Sequence, residues 1–100
     1  MAKTITTPVH MPAGLHKDTA DLVARFAEAL AAKLHKAEKK YGYSNKWKED
    51  DWEGDCAEKL VEHMEKGDPR DVAAYCAFMW HHGWATSLEV TAYAHAGSRR

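Results

Sequence analysis

Nine consecutive apolar residues, Val72 to Trp80, stand between two glycines, Gly67 and Gly83. Ahead of them lies Asp68-Pro69-Arg70-Asp71, a strong helix start. Asp68 suits the N-cap, Pro69 suits the first helical position, and Asp71 falls where a capping box needs an acid. A helix that is apolar all round is usually buried all round. This segment therefore reads as the central element, ending near His82 or Gly83, and other helices must be found to cover it.

Two candidates precede it. Leu22, Phe26, Leu30, Leu34 and Tyr41 form one stripe at helical spacing, joined by Val23, Ala27 and Ala37. Asp18 or Thr19 can cap that helix. Lys33, Lys36, Lys39 and Lys40 load its C-terminal half with the sign the dipole favours, and Gly42 suits the position after its end. The spacing predicts a first helix over about 19–41. A second helix starts at Asp50 or Asp51 and carries Trp52, Cys56, Leu60, Val61 and Met64 on its apolar face. Gly67 ends it after Lys66, so the second and third helices form a tight antiparallel hairpin.

The expected fold is an all-α, three-helix domain spanning residues 1–100. Residues 1–17 read as an extended lead-in, 19–86 as the helical core and 87–100 as a tail. Two short neighbours hardly cover so apolar a third helix, so the chain is expected to form a homo-oligomer, most simply a dimer. Trp80 is assigned to the core or to that dimer interface.

Composition narrows the function classes. Fourteen Lys and Arg stand against fifteen Asp and Glu, a net charge of −1. That balance argues against a dedicated nucleic-acid binder. No apolar run approaches the roughly 18–20 residues that span a bilayer, so no membrane association is expected. The first residues lack the apolar core of a signal peptide. Two cysteines are too few for a disulfide scaffold. The reading is a soluble protein of a reducing compartment, the cytoplasm.

Three constellations could carry chemistry. The first is acidic: Asp55, Glu58 and Glu62 share a broad face of the second helix, and Asp68 and Asp71 open the third. Carboxylates on facing helices suit Mg²⁺, which prefers oxygen ligands and keeps several waters. Equally, Asp68 and Asp71 are explained as caps, and the others as a solvated face. The hairpin places Asp71 level with Met64, and Asp55 level with Trp80. Asp55 and Asp71 are then about 10–15 Å apart along the hairpin. A partner chain, or another set such as Glu58, Glu62 and Asp71, would be needed to complete a site.

The second constellation is His81-His82, with His63 level with Val72. The pair can simply finish the third helix, where a cation suits the dipole. His63 can hydrogen-bond Asp68 or Asp71. The third runs from Lys40 to Lys48 and includes Tyr43, Lys46 and Trp47. Such residues can stack on a base and pair with phosphate, or can pack over the core as a loop. Cys56 and Cys76 sit on apolar helix faces and read as small hydrophobes rather than nucleophiles.

Ala37-Glu38-Lys39-Lys40-Tyr41-Gly42, Asn45, Trp47, Leu60, His63, Gly67-Asp68 and Asp71 resemble the MazG-like nucleotide pyrophosphohydrolases. The likeness is to their small all-α phage and prophage relatives, akin to dATP/dGTP diphosphohydrolases, and covers about residues 37–82. It implies Mg²⁺-dependent hydrolysis of (deoxy)nucleoside triphosphates to monophosphate and pyrophosphate. Asp55 and Glu58 look like the first metal-binding pair, and Asp68 and Asp71 like the second. His63 and Glu62 would then serve catalysis, and Tyr43, Lys46 and Trp47 would contact the nucleotide. The chain departs from the pattern: Asp55 stands where Glu is usual, the doubled Glu is missing, and the loop between the pairs is short. A relative that kept the scaffold without the chemistry, a non-catalytic helical interaction module, is the alternative.

Overall fold

The computed structural model describes residues 9–42 and 45–87. It is all-α, with α1 at Lys17–Tyr41, α2 at Glu53–Lys66 and α3 at Pro69–His82. A 3-10 turn at Lys46–Lys48 lies between α1 and α2. Among the described residues, no helix is long and apolar enough to cross a membrane.

Each helix ends as its glycine dictates. Gly42 and Gly67 adopt φ 93° and Gly83 adopts φ 74°, the left-handed conformation that only glycine enters without steric cost. Starts are less regular. Asp68 caps α3 as expected, its side chain accepting from the Arg70 N–H at 2.9 Å. α1 begins earlier than Asp18 or Thr19 would set it. His16 is the cap instead, its Nδ1 accepting from the Asp18 N–H at 3.0 Å. A neutral imidazole nitrogen can accept as a carboxylate does, and a turn closed by the Leu15 N–H on the Pro12 carbonyl delivers it there. α2 begins later than Asp50 or Asp51. Trp52 occupies its N-cap without a side-chain cap bond. Packing fixes that start: the Trp52 indole donates to the Trp47 carbonyl at 3.3 Å and its ring lies 5.7 Å from Phe78.

α2 and α3 form the expected antiparallel hairpin. α1 packs on α3 and, among the described residues, not on α2. Lys33 meets the start of α3, while Leu34, Ala37 and Tyr41 approach Ala77, Phe78 and His81 toward its end. α1 and α3 therefore run parallel, with α2 antiparallel to both.

The core is small. Cys56, Ala57, Leu60, Ala74 and Met79 are buried, ringed by Trp52, Val72, Tyr75, Phe78 and Trp84. Three expectations are corrected here. α3 is central but not buried all round: Cys76 is exposed and Trp80 is 84% exposed. Two neighbours cover two flanks of a helix and leave a third open, so Trp80 is not a core residue. The α1 stripe is likewise incomplete. Leu22, Val23 and Phe26 are exposed because α3 begins level with Lys33, and the preceding turns of α1 extend past it. Met64, assigned to the apolar face of α2, is also exposed, beside the turn at Gly67 that joins α2 to α3.

Candidate functional site

The first candidate is an ion-pair cluster at the start of α3, reached by Lys33 from α1 and by His63 from α2. Lys33 Nζ lies 3.5 Å from Asp68 Oδ2 and 3.6 Å from Asp71 Oδ1. His63 Nδ1 lies 3.6 Å from Asp71 Oδ2. Asp71 thus directs its two oxygens at neighbouring helices. Arg70 clamps Asp68 with two charge-assisted bonds, Nε to Oδ1 at 3.1 Å and Nη2 to Oδ2 at 2.8 Å. Those bonds, with the Arg70 backbone N–H, hold the Asp68 carboxyl well below the usual carboxylate range. The His63 ring stacks on Tyr75 at 5.2 Å. Its Nδ1 is shielded from solvent without a hydrogen bond, since 3.6 Å exceeds hydrogen-bonding distance.

Of the residues singled out by sequence, His63, Asp68 and Asp71 come together. Asp55 and Glu58 are exposed on α2. Asp55 lies eight residues before His63, about 12 Å along the helix. Glu62 pairs with Lys59 at 3.5 Å. Among the described residues, no group of three or more His, Cys, Asp or Glu is placed to hold a metal ion. Lys33 is the member that sequence reasoning missed. On α1 it belongs to a run of lysines, and nothing in that run distinguishes the one that meets α3.

The second candidate is aromatic. Trp47 is half-buried over the end of α3, stacked on Phe78 at 5.8 Å and edge-on to His81 at 5.0 Å. Its carbonyl also pairs with His82 Nε2 at 2.6 Å, and His82 stacks on Trp84 at 4.1 Å. The histidine pair thus pins the connector to α3, a role beyond ending the helix. Beside Trp47 lies a groove of about 480 Å³ between α1 and α3, walled by Leu34, Tyr41, Phe78 and Trp80, with Glu38 as its carboxylate. Lys46 lines a smaller cleft on the other side of Trp47. Tyr43 lies outside the described residues.

Burial pushes the Cys56 thiol up to about 11, helped by Cys76 and Glu53. Its Sγ–H donates to the Tyr75 carbonyl at 3.9 Å. A thiol in that state is no nucleophile at neutral pH.

Comparison with protein-family models, with characterised proteins and with solved structures finds no significant match.

Proposed function

We propose that this chain is a non-catalytic helical interaction module, working through the uncovered face of α3 and the aromatic groove beside it. The observation that carries this reading is Trp80. It is the most exposed large apolar side chain of the described residues, at 84%, on a helix that has no charged residue between Asp71 and His81. Exposed tryptophan on an apolar face is the usual anchor of a protein contact. The acids named for metal are engaged differently: Asp68 and Asp71 answer Lys33, Arg70 and His63.

The test is sedimentation of the purified chain, alone and with an amphipathic helical peptide carrying leucines at i, i+3 and i+7. Association that Trp80→Glu abolishes supports the reading. No association of either kind overturns it.

A second reading, Mg²⁺-dependent hydrolysis of (deoxy)nucleoside triphosphates, draws support from the gathering of His63, Asp68 and Asp71 around the start of α3, where Lys33 joins the two acids. It needs Asp55 and Glu58 supplied from another chain. Pyrophosphate release from a dNTP with Mg²⁺, lost in Asp71→Ala, would favour it over the first.

A further inference from the structure

α3 carries a stripe of four uncharged residues, Pro69, Ala73, Cys76 and Trp80, at i, i+4, i+7 and i+11. That spacing keeps them on one helix face. The stripe is neither the side toward α2, which presents Val72, Tyr75 and Met79 to the core, nor the row Ala77, Phe78 and His81 that faces α1, although Trp80 at its end also borders the groove beside α1. Its two ends differ in shape. At the C-terminal end Trp80 stands out, 84% exposed. At the N-terminal end lies a shallow, open apolar depression lined by Met64, Gly67, Pro69, Val72, Ala73 and Cys76. The middle holds only the small side chains of Ala73 and Cys76, which allow two helices close approach.

A knob and a depression on one face, on either side of a small-residue centre, form a self-complementary surface. Two copies related by a two-fold axis across α3 place Pro69 opposite Trp80 and Ala73 opposite Cys76, in both directions at once. We infer that a second copy of this chain covers the open face of α3, with Trp80 of each copy seated in the Met64–Pro69–Ala73 depression of the other. This rests on the interaction reading above and names its partner. The stripe itself carries no charge, so the antiparallel arrangement sets no like charges opposite one another along it. Burying the two indoles removes roughly 300–500 Å² from water. That is about a third to a half of the ~1,000 Å² that a specific interface clears, before the α3 backbones and Met64 are added.

The geometry places the two Cys76 side chains about 10 Å apart, offset by three residues across a helix pair. A short bis-maleimide spans that gap, and Cys76 is the exposed thiol while Cys56 is buried.

The experiment is sedimentation of the full chain at up to about 100 µM, a concentration that reveals even a weak dimer, with bis-maleimide cross-linking in parallel. Expected are a dimer, a Cys76-dependent covalent dimer, and loss of both in Trp80→Glu with an unchanged far-ultraviolet spectrum. Cys76→Glu, also at an exposed position, gives a second monomer. A wild-type monomer at the highest concentration overturns the inference, as does a dimer indifferent to both substitutions. If the monomeric chain still binds the amphipathic peptide through Trp80, the inference fails while the interaction reading stands.

Discussion

Lys33, past the middle of α1, stands 3.6 Å from Asp71 in the first turn of α3, and its ammonium reaches Asp68 at 3.5 Å as well. One cation answers both acids that open α3. Lys33→Met is therefore expected to lower the urea midpoint of unfolding. The wild-type advantage should shrink in molar salt, because the pair is partly exposed and screened. An equal advantage at low and high salt would show that the alkyl stem, not the charge, matters.

Asp68 gives the fold an acid limit. Its folded carboxyl titrates below the ordinary value of 3.8, chiefly because Arg70 bonds to the charged form. The unfolded chain therefore takes up the proton first. The stabilisation is complete above about pH 5 and drains away as pH falls through about 4 toward the folded value. Asp68→Asn keeps a good N-cap while removing the charge. Urea unfolding from about pH 6 to pH 2 should show a shallower loss of stability in Asp68→Asn than in the wild type.

Gly67 separates α2 from α3 at φ 93°. A Cβ there would meet nothing within 4 Å, so Gly67→Ala isolates the cost of the left-handed backbone. That cost is about 1–2 kcal/mol. For a domain of this size it corresponds to a fall of roughly 4–16 °C in Tm, readable by thermal circular dichroism.

The two cysteines should separate cleanly. Cys56 is buried with its thiol pushed up to about 11, whereas Cys76 is exposed. A thiol-reactive chromogen should label Cys76 in the native protein and both cysteines in urea. Labelling that Cys76→Ser abolishes under native conditions would confirm the assignment, and a residual native signal would place Cys56 nearer the surface.

The core is thin enough for one side chain to decide it. Met79 is 1% exposed among Cys56 and Leu60. Truncating such a residue typically costs 2–5 kcal/mol. Met79→Ala is expected to lose most of its helical circular dichroism near 37 °C.

What the chain determined locally was legible residue by residue. The three glycine stops and the Asp68-Pro69 start were readable because each acts within a turn or two of itself. The all-α class followed from the same signals. The His16 cap and the Trp52 start were not, since an imidazole acceptor and an indole packed on Phe78 belong to no common capping pattern. Tertiary structure alone decided the rest. It chose Lys33 from a run of lysines, set Trp47 over α3, gathered His63, Asp68 and Asp71 away from Asp55 and Glu58, and left Trp80 in the open. Helical periodicity shows which residues share a face. Which face receives a neighbour depends on where two other helices end, and contacts between distant segments carry no local mark in the sequence.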